Sequence, residues 1–306
     1  MAQITAALVK DLRDKTGAGM MDCKKALNEN DGDIEAAIDW LRAKGIAKAD
    51  KKSSRVAAEG LVAVHSDGTT GVVVEVNSET DFVARNEGFQ AAVAKIAKAG
   101  LTVNSSEELA QAQIEDGKNT TEYLVSLVAK IGENMSFRRM NKLSVDQGVV
   151  TGYVHGAVAP NMGKIGVLVA LETSGDAELI KELGKKIAMH VAATSPLALT
   201  TADLDQAVVA KEREMLKAEA LESGKPEAIV DKMVEGRMQK FYKESVLMTQ
   251  MFVMDPDRTI EQVIADEAKS IGTDIKMTGY VRMEVGEGIE KKEEDFAAEV
   301  AATLKG

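Results

Sequence analysis

The fold is decided by residues 71–86, which read GVVVEVNSETDFVARN. Residues 71–76 are rich in Val, and β-branched side chains favour an extended strand. A helical pattern of apolar residues begins near Glu87, so the stretch between them predicts a strand-to-helix junction. At this junction Asp81 and Phe82 place a carboxylate and an aromatic ring side by side on a rigid base. An exposed Phe beside an acid would suit a wedge that enters a partner.

The spacing at this junction also allows a second interpretation. Thr80 or Asp81 would cap the N-terminus of the helix by accepting hydrogen bonds from its first free N–H groups. Phe82 would then pack inward as a hydrophobic staple. Because capped helix entries are common in proteins, the residue pattern alone favours this interpretation over the wedge.

Composition and charge argue against several classes of protein. The chain has 306 residues, 45% hydrophobic and 28% charged, which is typical of a globular protein with more than one core. The formal net charge of −11 argues against direct nucleic-acid binding, because phosphate contacts need clustered Lys and Arg. Cys23 is the only Cys, which excludes an internal disulfide and fits a reducing cytoplasm. Apolar runs fall short of the roughly 20 residues that a membrane helix needs, so no membrane association is expected.

The first part of the chain predicts a bundle of three short helices followed by a linker. Apolar residues recur at helical spacing over 4–12, 20–28 and 34–41, with turn residues between these segments. A bundle this small is marginally stable alone and leaves surface for a partner. Residues 43–55 are rich in Lys, Ala and Ser, which predicts a partly helical, mobile linker.

Two adjacent Met residues open the second predicted helix. Met20 and Met21 either contact a partner or fill irregular gaps in the bundle, and the spacing does not separate these alternatives. Cys23 lies at helical spacing behind Met20 and is expected to pack rather than to react.

The rest of the chain predicts two α+β units of similar order. The first begins with a hairpin whose strands cover 61–64 and 71–76, and its loop at Asp67-Gly68 looks longer than the tightest type. Its other elements are helices over about 86–99 and 121–131 and a strand over 135–140. The second unit is predicted to contain strands over 149–155, 164–171, 246–253 and 276–285 and helices over about 176–193 and 259–270.

Two charged helices over 201–222 and 227–242 interrupt the second unit. A short turn joins them, which predicts an antiparallel hairpin that projects because it has only a narrow stripe to bury. The predicted inward residues are Leu204, Val208, Met215, Leu216, Ile229, Met233 and Met238. The tail over 295–304 predicts a short amphipathic helix.

Enzyme motifs are not found in the chain. Gly163-Lys164 and Gly224-Lys225 lack the flanking residues of a phosphate-binding loop. The three His residues are too far apart for a local metal motif. No nucleophile elbow and no Cys/His pairing presents itself either. The sequence therefore predicts no catalytic residue, no metal site and no cofactor.

Four motifs connect the chain to a known family. They are GAGMMDCKKAL at 17–27, TDFVARN at 80–86, KIGENMSFRR at 130–139 and GEGIEKKEEDFAAEVAA at 286–302. With these motifs in this order, the chain resembles bacterial elongation factor Ts over essentially its whole length. Four separate motifs in one order make the resemblance highly specific.

The resemblance implies a division of the chain into domains. Residues 1–54 would form a ubiquitin-associated-like three-helix domain with its linker, and 55–145 a first core subdomain. A second core subdomain would comprise 146–197 and 243–286, with a coiled-coil hairpin over 198–242 and a C-terminal helical module over 287–306.

The resemblance also implies a function. The family consists of non-catalytic guanine-nucleotide exchange factors that bind elongation factor Tu, release its GDP and allow GTP to reload during translation elongation. By this resemblance Asp81 and Phe82 would disturb the magnesium and phosphate site of the partner. The implied partner-binding residues are Asp81, Phe82, Thr80, Val83, Met20, Met21, Ile131, Gly132 and His155.

Two other classes stay open on the sequence. A ubiquitin-type adaptor would need only residues 1–45 and would leave the Asp81-Phe82 junction dispensable. An unrecognised enzyme would need a convergent polar pocket. Neither class explains four family motifs in order.

Two further questions stay open on the sequence. One is whether the helical hairpin mediates homodimerisation. The other concerns the loop over 157–164, which looks longer than in relatives and so affects the contact expected around His155.

Overall fold

The computed structural model describes residues 4–115, 117–222 and 226–290. Its helices are α1 (Ala6–Thr16), α2 (Met20–Glu29), α3 (Ile34–Lys52), α4 (Asp81–Ala84), α5 (Glu87–Gly100), α6 (Ser106–Gln111), α7 (Thr120–Ile131), α8 (Ala177–Thr194), α9 (Gln206–Glu222), α10 (Glu227–Ser245) and α11 (Ile260–Ile271). Its strands are β1 (Glu59–Asp67), β2 (Thr70–Ser78), β3 (Gln113–Glu115), β4 (Lys118–Asn119), β5 (Met135–Ser144), β6 (Gly148–His155), β7 (Met162–Gly163), β8 (Ile165–Thr173), β9 (Met251–Phe252), β10 (Asp255–Thr259) and β11 (Ile275–Glu284). Helices and antiparallel sheets are mixed, so the fold class is α+β, as predicted.

Helices α1, α2 and α3 form a small bundle at the start of the chain. Thr5 begins α1 by accepting a hydrogen bond from Leu8 N at 3.2 Å, and Asp33 begins α3 by accepting one from Ala36 N at 3.0 Å. Cys23 is fully buried in the bundle core, so its predicted packing role is confirmed.

The segment predicted as a mobile linker is mostly the second half of α3, which continues to Lys52. This half packs along α7: Ala49 is buried in the core beneath it, and Arg42 Nη2 lies 3.3 Å from Glu122 Oε1. The prediction underestimated the helix because composition does not show which neighbour a weakly apolar segment packs against.

The first sheet has the strand order β5-β2-β1-β7 and is built on the β1–β2 hairpin. Asp67 pairs with Thr70, so the turn consists of Gly68 and Thr69 alone. The prediction of a longer loop was therefore wrong. The loop was overestimated because the strand pairing extends beyond the Val-rich segments into polar residues, whose composition does not favour a strand.

The second sheet has the order β11-β8-β6 and shares the topology of β5-β2-β1 in the first. In each sheet an antiparallel pair of strands is followed by helices and then by a strand that joins the central one. Gly60 near the start of β1 has φ 122° and Gly148 at the start of β6 has φ 136°, so the two pairs begin alike.

The two sheets pack face to face, with helices outside. On β2, Val73 lies in the core between the sheets, whereas Val72 and Val74 lie under α5 and α7, in what we call the first core. On β8, Leu168 lies between the sheets, and Val169 packs with α8 and α11 in what we call the second core. The layers are therefore helices, sheet, sheet and helices.

Residues 246–253 do not form a strand of the second sheet, contrary to the prediction. Leu247–Thr249 is a 3₁₀ turn, and Met251–Phe252 pairs with β10 in a separate two-stranded sheet. The side chains of Leu247 and Phe252 are nevertheless buried in the core with α8 and α11. A short apolar run fits a strand or a buried turn equally well, and tertiary packing made the choice here.

Helices α9 and α10 form an antiparallel hairpin, whose turn at 223–225 lies outside the described residues. The residues that pack in its seam are Val209, Leu216, Ala220, Val230, Val234 and Met238. Val208, Met215 and Ile229, predicted to point inward, are exposed. Successive residues of a helix are rotated by about 100° about its axis. An error of one position in the predicted apolar stripe therefore assigns an exposed side chain to the interface between the two helices.

The predicted helix over 295–304 lies outside the described residues, which end at residue 290.

Candidate partner-binding site

The junction after β2 is a single helical turn, α4, followed directly by α5. Asn86 begins α5, because its Oδ1 accepts hydrogen bonds from Gly88 N at 2.9 Å and Phe89 N at 3.2 Å. Thr80 occupies the N-cap position of α4, but its side chain makes no capping hydrogen bond. The cap predicted for Thr80 or Asp81 is therefore supplied by Asn86, one turn later.

Phe82 points outward from this turn. Its side chain is 78% exposed, whereas Val83 is 3% exposed and packs in the first core. The inward-packing interpretation of Phe82 was therefore wrong, and the residue that anchors the turn is Val83. The Phe82 ring therefore contributes no packing to the core and is accessible from solvent. Val83 holds the turn in place and offers little surface of its own.

The carboxylate of Asp81 is also accessible. Its side chain is 52% exposed and its Oδ2 lies 3.9 Å from Arg85 Nη2, one turn along the chain. An exposed ion pair of this kind contributes little to stability. Asp81 is therefore free to interact with a charged group of a partner.

Two carboxylates connect this turn to the segment that follows α7. Glu133 accepts hydrogen bonds from Thr80 N at 3.0 Å and from Thr80 Oγ1 at 2.8 Å. In the opposite direction, Glu79 accepts one from Asn134 N. We call this reciprocal pair, Glu79–Asn134 and Glu133–Thr80, the carboxylate clamp. It brings together two segments that are more than 50 residues apart in sequence.

Ile131 and Gly132 lie beside the clamp at the end of α7. Gly132 ends the helix in the left-handed region with φ 93°, and its carbonyl accepts a hydrogen bond from Lys52 Nζ of α3. Ile131 is half-buried and packs on the first core. The structure thus places the predicted residues of two motifs, TDFV and KIGEN, next to each other.

Met20 and Met21 lie at the start of α2 in the bundle. Their side chains are 59% and 76% exposed, so neither fills the bundle core. Asp22, which follows them, lies 2.6 Å from Lys44 Nζ and 3.0 Å from Lys48 Nζ of α3. Hydrogen bonds from these two amines lower the pKa of Asp22. The Met pair is therefore presented on a helix end that two ion pairs fix to α3.

His155 lies at the other sheet, at the end of β6 opposite Ile165. Its side chain is exposed, and its Nδ1 lies 3.3 Å from Tyr153 OH. Lys164, whose backbone N donates to His155 O, places its Nζ 2.7 Å from Glu59 Oε2 of β1. His155 is thus connected to the end of the first sheet from which the Phe82 turn emerges, because Glu59 pairs with Ser78.

The loop over 157–164 is held against the first sheet. Asn161 O accepts a hydrogen bond from Val64 N at 2.9 Å, and Met162 pairs with Ala63. Part of this loop therefore forms the short strand β7, paired with β1.

Comparison with known proteins decides the family. The family described as Elongation factor TS matches residues 79–287. Elongation factor Ts of Brucella ovis is 59% identical over 304 residues, which cover 99% of each chain. The same protein of Brucella anthropi is 58% identical over 303 residues, again covering 99% of each chain. The chain belongs to the elongation factor Ts family.

Membership of the elongation factor Ts family confirms the resemblance seen in the sequence and makes the chain a translation elongation factor that acts in protein biosynthesis. The family match begins at Glu79, the first residue of the carboxylate clamp, and includes the whole Phe82 turn. The bundle with Met20 and Met21 lies before it and is covered by the relatives.

Sequence reasoning missed the clamp in this family member. Glu133 lies inside the KIGENMSFRR motif and Glu79 directly precedes TDFVARN, but neither was assigned a role. A Glu three residues before a Phe has no pattern that distinguishes it from any other acidic residue. Their role depends on a pairing across 53 residues, between Thr80 and Glu133, that only the tertiary structure supplies.

The described residues contain no group of three or more His, Cys, Asp or Glu placed to hold a metal ion. His190 is buried, with its Nε2 2.9 Å from Gln250 Oε1 and its Nδ1 accepting from Val253 N. Within the described part of the chain, no helix is both long enough and apolar enough to span a membrane.

Proposed function

We propose that this chain is a guanine-nucleotide exchange factor that binds elongation factor Tu and releases its GDP by disturbing the magnesium and phosphate site. The observation that carries this proposal is the 78% exposure of Phe82 on a turn whose neighbours are fixed. Family membership supports the partner, because relatives named elongation factor Ts match the chain over 99% of its length. The chain acts by binding and not as an enzyme.

The wedge is Phe82, and its exposure has an energetic consequence. Burying a Phe side chain contributes on the order of 1.5–3 kcal/mol, and here that contribution is available only when a partner covers the ring. Asp81, the adjacent residue, would compete electrostatically near the magnesium ion of the partner. Metal and phosphate contacts would then weaken together, and GDP would leave.

Reciprocal linkage explains why such a factor also dissociates from its partner. If binding of the factor weakens GDP binding by some ratio, GDP must weaken binding of the factor by the same ratio. The contacts of Phe82 must therefore form only when the nucleotide site is deformed. GTP that enters the restored site displaces the factor.

The remaining predicted contacts surround this wedge. Ile131 and Gly132 continue the Phe82 surface across the clamp, and Met20 and Met21 add a contact from the bundle. His155 adds one from the second sheet, against another domain of the partner. Direct nucleic-acid binding is not part of the proposal, which assigns the factor to the cytoplasm.

Release of fluorescent GDP from elongation factor Tu, with magnesium present, tests the proposal. The chain should accelerate release, and Phe82→Ala and Asp81→Ala should each reduce this acceleration. Leu179→Ala is the matched control for Phe82, because Leu179 on α8 is also exposed, by 58%. Asp257→Ala in β10, also exposed, is the control for Asp81.

The outcomes separate the parts of the proposal. Equal acceleration of GDP release by all variants would support the exchange function but show that Phe82 is not the wedge. No acceleration by the unaltered chain would reject the exchange function and favour the adaptor, which needs the bundle alone.

A further inference from the structure

The Phe82 ring lies between two fixed points of the backbone. On one side Val83 is buried in the first core, and Asn86 N donates to Val83 O at 2.9 Å. On the other side Thr80 is held by Glu133 through both its backbone N–H and its hydroxyl. Side-chain packing fixes the first point, whereas the second is held by the Glu133 carboxylate and by Ser78 Oγ, which donates to Thr80 O at 2.9 Å.

Glu133 is well placed to control this second point. Its Oε1 accepts from Thr80 Oγ1 at 2.8 Å, and its Oε2 accepts from Thr80 N at 3.0 Å and lies 3.1 Å from Thr80 Oγ1. Hydrogen bonds to a charged acceptor are stronger than those between neutral groups. With both donors of Thr80 bound, the backbone and the side-chain torsion of this residue are fixed together.

The segment that carries Glu133 is itself anchored. Gly132, the preceding residue, accepts a hydrogen bond from Lys52 Nζ, and Asn134, the following residue, donates its backbone N–H to Glu79. The side-chain amide of Asn134 donates to Arg55 O at 2.8 Å. Glu133 therefore connects the Phe82 turn to α3 and α7 rather than to a free loop.

We propose that Glu133 is a positioning residue for nucleotide exchange, which acts through Thr80 to hold the Phe82 ring in its outward orientation. This inference rests on the proposed exchange function. Ordering a loop during association reduces affinity and rate, and a wedge that is already ordered avoids that loss. Glu133 would thus set how effectively Phe82 deforms the partner, without itself reaching the nucleotide.

The test measures GDP release from elongation factor Tu at increasing concentrations of the factor. The variants are Glu133→Ala, Phe82→Ala and the double variant, with urea denaturation of each to verify folding. Glu108→Ala is the matched control, because the Glu108 carboxylate accepts a backbone hydrogen bond from Asn104 N at 2.7 Å in α6, outside the clamp. Glu133→Gln keeps the side-chain length and one acceptor oxygen.

We expect Glu133→Ala to lower the rate of GDP release at saturating factor by about fivefold, because the lost interaction would stabilise the transition state of GDP release. Glu133→Gln should recover part of that rate, and Glu108→Ala should leave it unchanged. In the Phe82→Ala background, Glu133→Ala should change the rate by less than about twofold, because coupled residues are not additive.

Three results would overturn the inference. The first is a GDP-release rate of Glu133→Ala equal to that of the unaltered chain. The second is that Glu133→Ala lowers the rate by the same factor whether residue 82 is Phe or Ala. The third is that Glu108→Ala lowers the rate as much as Glu133→Ala does. If Glu133→Ala does not fold, Thr80→Val removes the hydroxyl donor and keeps the backbone donor, and the same Phe82 dependence must appear. Failure of the unaltered chain to accelerate release would instead reject the proposed function.

Discussion

The Nε of Arg139 donates a hydrogen bond to Oε2 of the fully buried Glu75 at 2.6 Å, across the β2–β5 pair. Arg138 Nη1 approaches the other oxygen at 3.0 Å, and Gly286 N donates to it at 2.7 Å. Gly286 follows β11 of the second sheet. One carboxylate therefore connects the central strand of the first sheet to the end of the second, from which the C-terminal residues continue.

Removal of the Glu75 carboxylate should destabilise the packing of both sheets. We expect Glu75→Ala to lower the free energy of unfolding by about 2–4 kcal/mol, because it leaves two partly buried guanidinium groups and a backbone N–H without their acceptor. Urea denaturation measures the change, with Glu178→Ala as the control, whose exposed side chain pairs only with Lys181 at 3.3 Å. A loss no larger than that of the control would contradict the prediction.

Acid should weaken the same contact. Burial raises the pKa of the Glu75 carboxyl, but hydrogen bonds from Gly286, Asn77, Arg139 and Arg138 outweigh burial and hold the pKa below its ordinary value of 4.5. The stabilisation is therefore complete above pH 4.5 and is lost as the pH falls through the folded-state pKa. The difference in unfolding free energy between the unaltered chain and Glu75→Gln should stay constant above pH 4.5 and shrink as the pH falls below it through the folded-state pKa.

His190 should make the second core sensitive to mild acid. Burial lowers the pKa of its imidazole, and the hydrogen bond with Gln250 only partly opposes this. Val253 N donates to Nδ1, so the neutral ring carries its proton on Nε2, toward Gln250 Oε1. Because the folded-state pKa is lower than the ordinary value of 6.5, stability is complete above pH 6.5 and decreases as the pH falls below it.

Substitution of His190 isolates this effect. The unaltered chain should lose more unfolding free energy than His190→Gln between about pH 7.5 and about pH 5.5, by at most about 1.4 kcal/mol per pH unit. Equal losses in the two proteins would show that other groups cause the acid sensitivity.

Two Phe residues of the same region should behave in opposite ways. Phe89 in α5 is fully buried, and Phe89→Ala should lower the free energy of unfolding by about 3–5 kcal/mol. Phe82 is exposed, and Phe82→Ala should change it by less than about 0.5 kcal/mol. Urea denaturation of the two variants under one set of conditions measures both. A large loss in Phe82→Ala would mean that the ring packs on the protein itself.

The two glycines that begin the paired strands should be equally intolerant of a side chain. A Cβ at Gly60 would lie 2.2 Å from Val76 O, and one at Gly148 would lie 2.1 Å from Leu171 O. Gly60→Ala and Gly148→Ala should each cost more than about 1 kcal/mol, because steric overlap adds to an unfavourable positive φ. Gly236→Ala in α10, where a Cβ would meet no atom within 4 Å, is the control and should be neutral or stabilising.

Local patterns predicted most helices and every strand of the two sheets except β7. Phe89, Val93 and Ile96 recur at helical spacing and are buried as that spacing indicates. The pattern was insufficient where two structures fit one composition. Residues 43–55 contain no large apolar residue after Ile46, yet α3 continues to Lys52 and packs along α7. Residues 246–253 fill a core without joining its sheet. In both places a neighbour distant in sequence determines the local structure.

The sequence by itself determined the family, the α+β class and the position of the Asp81-Phe82 junction, because motifs and hydrophobic periodicity are local properties. Tertiary structure alone decided that Phe82 faces outward and Val83 inward, since the spacing at the junction fits both orientations. It also decided the carboxylate clamp and the Glu75 contacts. Thr80 and Glu133 are 53 residues apart, and Glu75 and Gly286 are 211 apart. Such contacts depend on which distant segments the tertiary structure brings together, and no local pattern encodes them.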